Sequence, residues 1–180
     1  HFALLKTCPC FFPLSITPKY TNFMANISFT KVNLPYGWLG NMAPSTITWN
    51  GKTWRTCEAV FQSMRFSNPE IQEIIRLEKS PMSCKMKSKK YKSEMTVEPM
   101  SKQDVQNMKT CLLLKFTQNP VLLQKLLLTK NHVLIEDIGS RKGERHLFWG
   151  MRNKGGLWEG KNILGKLLME VRDELKHNVS

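Results

Sequence analysis

Glu58, Gln62 and Arg65 recur at i, i+4 and i+7, the spacing that stacks side chains on one face of a helix. A carboxylate, an amide and a guanidinium converging there can read a network of sugar hydroxyls. The carboxylate can also move protons or face a developing positive charge. A plainer alternative is a solvated Arg65–Glu58 pair on a surface helix, contributing well under ~1 kcal/mol. Lys85, Lys87, Lys89, Lys90 and Lys92 crowd a second segment. Such a run can be a solvated face or a phosphate-contacting patch. Like charges nearby and partial desolvation also lower a lysine's pKa, which makes an amine nucleophilic. Lys85, nearest the expected helix start, is the best placed for that role. A third group, Trp149-Gly150 with Gly160-Lys161-Asn162-Ile163-Leu164-Gly165, combines an aromatic plate, flexible backbone and a helix N-terminus. It can stack a base and cradle phosphate, although a Trp in a Gly-rich loop can equally be a core plug.

The elements needed to position these groups are legible. Thr46 to Trp54 alternates β-formers around Asn50-Gly51, a hairpin signal because both residues tolerate the positive φ of a type I′ turn. Thr56 caps the next helix, expected over Cys57 to Phe66, with Val60 and Met64 on one side and Glu58, Gln62 and Arg65 on the other, exposed side. Asn68-Pro69, Ser80-Pro81 and Asn119-Pro120 each pair a cap residue with proline at the first helical position. Ser101 with Asp104 reads as a box-like cap before Val105, Met108, Leu112 and Phe116. His132 to Glu136 predicts a short buried strand, and Gly139 to Gly160 has the composition of a loop without regular structure. Asn162 is expected to cap a last helix whose Leu164, Leu167, Leu168, Val171 and Leu175 face the core. The sum is a mainly α-helical α+β single domain with one short hairpin and few short strands, over residues 26–177. Residues 1–25 lack acids, carry Pro9, Pro13 and Pro18, and read as an N-terminal extension outside the domain; Met24-Ala25 resembles an ordinary start.

Composition narrows the chemistry. Lys and Arg total 27 against 14 acids, a net charge of +13 that favours anionic partners such as nucleotide, phosphate or nucleic acid. The five cysteines form no C-x-x-C pair and no zinc-ligand spacing, which argues for a reducing, cytoplasmic compartment and against a metal or a secreted disulfide framework. No stretch reads as a membrane span, and the proline-interrupted start lacks a signal peptide's unbroken apolar run.

Read in order, PYGWLGNM (Pro35 to Met42), ITWNGKTWRT, CEAVFQSMRF (Cys57 to Phe66), SPMSCKM (Ser80 to Met86), MKTCLLLKFTQNP (Met108 to Pro120), FWG (Phe148 to Gly150) and GKNILGKLLMEVRDEL (Gly160 to Leu175) resemble the NADAR, or YbiA-like, family. The resemblance implies a compact, largely helical fold and a cofactor-free N-glycosidase. Its substrate would be a phosphoribosylated riboflavin-pathway intermediate, an ADP-ribosylated base or an NAD-derived metabolite. It also implies catalytic roles for Glu58 and Lys85 and substrate contacts from Gly37 and Asn41 in the first loop and from Trp149, Gly150 and Asn162 in the late loop. Gln62 and Arg65 join the binding set from their shared face with Glu58. The chain departs from the family pattern at Gly40, Ala59, Arg65 and His146.

Two chemistries fit. A carboxylate beside C1 stabilises an oxocarbenium-like state or orients water, and a lysine amine can instead condense with C1 as a Schiff base. The expectation is that both groups act, Glu58 moving protons and Lys85 engaging C1. The rival is a non-catalytic module that binds ADP-ribose or nucleic acid through the lysines and tryptophans, with ADP-ribosylated nucleic acid as a candidate partner.

Overall fold

The computed structural model describes residues 26–177; the expected extension over residues 1–25 lies outside them. Strand β1 (Asn26–Phe29) is followed by a 3-10 turn (Gly37–Leu39) and a hairpin of β2 (Pro44–Trp49) and β3 (Lys52–Thr56). Asn50 and Gly51 at its tip have φ of 49° and 69°, as the Asn-Gly pair predicts. Ile47 faces Trp54 across the hairpin, and both are buried.

Strand β3 runs without a loop into α1 (Cys57–Ser63), where the Thr56 hydroxyl accepts from the Ala59 amide at 3.2 Å. The helix ends three residues before the expected Phe66. All seven of its residues are buried, so it has no solvent face, contrary to the two-sided helix the sequence suggested. The reason is tertiary: the hairpin, α2 (Pro69–Arg76), α3 (Pro81–Lys90) and α4 (Lys102–Thr117) enclose it. Caps at Asn68, Ser80 and Ser101 start those three helices as expected. Helix α5 (Pro120–Leu128) also begins at its proline, but the Asn119 side chain reaches the carbonyls of Thr46 and Lys115 instead of capping.

The expected buried strand is β4 (Val133–Glu136). It pairs in parallel with β1, a partner that no local pattern announced. The Gly-rich segment read as irregular instead holds α6 (Glu144–Trp149) and a second hairpin, β5 (Arg152–Lys154) with β6 (Leu157–Glu159). Gly155 and Gly156, both at positive φ, make its two-residue turn, closed by the Gly156 amide on Asn153 Oδ1 at 2.9 Å. Gly150 ends α6 against the Glu136 carbonyl, so packing on β4 supplies the order that composition concealed.

Helix α7 (Ile163–His177) lies on β4 and α4, and Val60, Leu112, Phe116, Leu168 and Val171 are fully buried in the common core. Each such side chain contributes about 1.5–3 kcal/mol by leaving water. Cys57, Cys84 and Cys111 are free, buried and helical, as read from the sequence. Among the described residues no helix is long and apolar enough to cross a membrane.

Gly165, in the first turn of α7, faces the Leu134 carbonyl and the Asn162 side chain where a Cβ would stand. Gly→Ala in an exposed helix gains about 1 kcal/mol. Gly165→Ala is expected to do the opposite and destabilise by about 1–3 kcal/mol, because the backbone of β4 cannot yield to a methyl group. A thermal melt below that of the parent protein is the expected reading.

Candidate active site

A cleft of about 580 Å³, mouth included, opens where α1, α3, α4, α6 and the end of β4 meet. Six of the nine residues expected to act line it: Asn41, Glu58, Gln62, Arg65, Lys85 and Trp149. The other three stand behind it. Gly37 packs on the carbonyls of Lys31 and Val32, fixing the turn that leads to Asn41. Gly150 packs on β4, and Asn162 does not cap α7 with its side chain. Its amide bridges instead to β4, Nδ2 donating to Leu134 O at 2.8 Å and Oδ1 accepting from the Glu136 amide at 3.1 Å.

Glu58 stands in the first turn of α1, 3% exposed, where the helix dipole favours its negative charge. Asn41 grips it twice, its carbonyl accepting from the Glu58 amide at 2.8 Å and its side-chain amide donating to Glu58 Oε2. Gln62 Nε2 donates to Oε1 at 2.8 Å, and Gln62 Oε1 in turn accepts from Arg65 Nη1 at 3.1 Å. The i, i+4, i+7 triad is thus a hydrogen-bonded relay rather than an exposed face. Arg65 does not pair with Glu58. Its Nε and Nη2 donate to the two oxygens of Asp104, both at 2.8 Å, with side chains 4% and 0% exposed. Asp104, read from the sequence only as part of a cap, also accepts from the Met100 amide at 2.8 Å, while Ser101 caps its own N–H. The guanidinium lies 4.5 Å above Phe61, whose ring meets Trp149 edge-on at 5.5 Å. Trp149 is therefore both a wall of the cleft and a packing plug.

Opposite stand Lys85, from α3, and Glu136, at the end of β4, with Arg141, Arg145 and His146 around the mouth. Burial raises the Glu58 carboxyl above its ordinary range, and Lys85 is the strongest influence the other way. Burial also lowers the Lys85 ammonium, with Arg145 and Arg141 adding to it and Glu58 and Glu136 opposing. Glu136 is pushed up to about 7 by burial and by Glu58, against Arg141 and Lys85. His146 is lowered by burial and the nearby cations, which leaves a neutral imidazole at neutral pH. Lys87 turns away to Glu78 at 3.3 Å, so the lysine run divides into one cleft member and solvated neighbours. The cleft can thus hold an anion between cations and is lined by an amine and two carboxyls.

The sequence matches the NADAR domain over residues 28–176. The chain belongs to the NADAR family. It is 34% identical to the N-glycosidase YbiA of Escherichia coli (strain K12), over 83% of this chain and 88% of that protein. The NMR structure of the E. coli protein YbiA superimposes with a TM-score of 0.67 at 33% identity, covering 86% of this chain and 87% of that one. The chloroplastic riboflavin biosynthesis protein PYRR of Zea mays is 32% identical over 89% of this chain, which spans only 27% of that longer protein. The expected mainly helical NADAR fold is the one observed.

In this NADAR domain, sequence reasoning missed Asp104, Glu136, Arg141 and Arg145 as site residues. Asp104 lies 39 residues from Arg65, so no local period could link them. Glu136 carried one weak signal, a carboxylate ending an otherwise apolar strand. The two arginines stand in the segment whose composition read as loop.

Two outcomes test this electrostatic arrangement. Asp104→Ala leaves Arg65 buried without its anion and is expected to cost about 3–5 kcal/mol in urea unfolding. Glu136 binds its proton more tightly folded than unfolded, so its share of stability is full below pH 4.5 and declines as pH rises toward about 7. Stability measured across that window is expected to fall less steeply in Glu136→Gln than in the parent.

Proposed function

We propose that this NADAR domain is an N-glycosidase that hydrolyses the bond between C1 of a ribose-phosphate or ADP-ribose unit and a base nitrogen, with Glu58 and Lys85 as its catalytic residues. The observation that carries this reading is the meeting of Glu58 and Lys85 in one cleft, each with its charged form disfavoured by burial. A carboxyl raised and an ammonium lowered are each moved toward neutral pH, the direction that acid–base and nucleophilic catalysis need. The name of YbiA as an N-glycosidase and that of PYRR as a riboflavin biosynthesis protein support the same reaction class.

Loss of the base leaves C1 with oxocarbenium character. Glu58, fixed by Asn41 and Gln62, faces that charge as a carboxylate and takes a proton from the water that attacks C1. Glu136, half protonated at about pH 7, supplies the proton that the departing nitrogen needs. In the covalent version Nζ of Lys85 attacks C1 as the C1–N bond breaks, and the ring oxygen is protonated as the ring opens to an imine. Water then adds to the imine, releasing the C1 aldehyde and restoring the amine. Trp149 offers a face to the leaving base, and Arg141 and Arg145 offer charge to phosphate.

One feature favours ADP-ribose over a single ribose-phosphate. A trough of about 1340 Å³, open solvent included, shares Gln62, Arg65, Lys85, Arg145 and His146 with the cleft and extends past Lys89, Lys92 and Lys142. A second phosphate has a cationic path there, and an ADP-ribosylated nucleic acid would follow it too.

Incubation with ADP-ribosylated DNA, NAD and phosphoribosylamino-pyrimidines in parallel is expected to release ribose species from at least one. Glu58→Gln is expected to lower kcat roughly 10²- to 10⁴-fold while ADP-ribose still binds. Unchanged turnover in that variant would remove Glu58 from the catalytic set, and no turnover by the parent would return the domain to a pure binder. Borohydride is expected to trap a substrate adduct in the parent and none in Lys85→Ala; an adduct that persists removes the covalent version.

A further inference from the structure

Lys115, on α4, is completely buried and makes no ion pair among the described residues. Its ammonium donates to three consecutive backbone carbonyls, Trp38 at 2.6 Å, Gly40 at 2.9 Å and Leu39 at 3.5 Å. Trp38 and Phe116, edge to face at 6.5 Å, pack beside it, and the Nζ lies 5.3 Å from the centre of the Phe116 ring. An ammonium without a carboxylate is costly to bury, so its retention has to be offset by what it binds. What it binds is the 3-10 turn and Gly40, the residue before Asn41, and Asn41 holds Glu58 by its backbone amide and by its carboxylate. The carbonyls at the end of a helical turn are the ones left without intrahelical donors; Lys115 supplies donors to those of Trp38 and Leu39 and adds a second to that of Gly40, which already accepts from the Ala43 amide.

We propose that Lys115 is a positioning residue for the reaction, clasping residues 38–40 so that the Asn41 amide stays aimed at Glu58. The clasp works while Lys115 carries its third proton. Burial brings its pKa down to about 8, with the Cys57 thiol on α1 the titratable group that faces it and opposes the shift. Above that pH the neutral amine has two donors for three carbonyls, and the turn is released on one side.

The kinetic arm of the test rests on the glycosidase reading; the spectroscopic arm does not. Lys115→Met keeps the side chain's length and removes its charge. It is expected to lower kcat roughly 10- to 100-fold with KM little changed, and to lack the loss of kcat expected of the parent above about pH 8. A folded Lys115→Met protein with the parent's kcat and pH profile would overturn the proposal. If that variant does not fold, the parent labelled with ¹³C decides. The Trp38 and Gly40 carbonyl carbons and Asn41 Cγ are expected to shift together with a midpoint near pH 8 in the parent, and to shift together again, at a lower midpoint, in Cys57→Ala. Movement of the carbonyls without Asn41, or no transition between pH 7 and 9, would overturn it. Should the parent turn over no substrate, the glycosidase reading fails while the carbon titration still decides the role of Lys115.

Discussion

Arg65 and Asp104 form the contact on which the rest of the site depends. Two opposite charges with almost no solvent exposure meet through paired N–H···O bonds, in a plane set by the flat guanidinium and by Phe61 beneath it. Such a pair contributes little net stability, because desolvation cancels most of its attraction. What it contributes is geometry. Arg65 follows α1 and Asp104 stands in the first turn of α4, so the pair fixes how those helices meet, and the third guanidinium nitrogen, Nη1, orients Gln62 toward Glu58. A charge buried at one end of this relay therefore sets the direction of a carboxylate at the other.

The cleft itself is a balance of opposed fields. Glu58 disfavours the charge of Glu136, Lys85 is disfavoured by Arg141 and Arg145, and each acid is partly rescued by the same lysine. Neither carboxyl, nor Lys85, has its ordinary proton affinity, and none of the three can be altered without moving the others. The excess of cations around the mouth matches the overall charge of +13, so the general field of the protein and the local field of the site draw the same class of ligand.

Much of this was legible in local chemistry. The Asn50-Gly51 hairpin, the three Xaa-Pro helix starts and the Ser101 cap depend on residues a few positions apart, and the sequence states them directly. Glu58, Gln62 and Lys85 were found because helical spacing and charge crowding are also local. Strand β1 was not found, because a four-residue parallel strand is defined by its partner more than 100 residues away and not by its own pattern. Helix α6 was hidden for a related reason: Gly150, which looks like loop punctuation, is in fact small enough to let the end of α6 come against the Glu136 carbonyl of β4. The exposed position expected for Glu58 and Arg65 failed because burial of a polar face requires partners, and Asp104 and Asn41 come from elements that no periodicity connects to α1.

The relay from Asp104 to Asn41 is built wholly from protein groups already bonded to one another. Little of it has to be ordered when a ligand arrives, so the entropy of fixing those side chains is not charged to the encounter. Association should then be governed by diffusion through the cationic mouth and slowed by salt, whereas the lifetime of the complex is left to the contacts made inside.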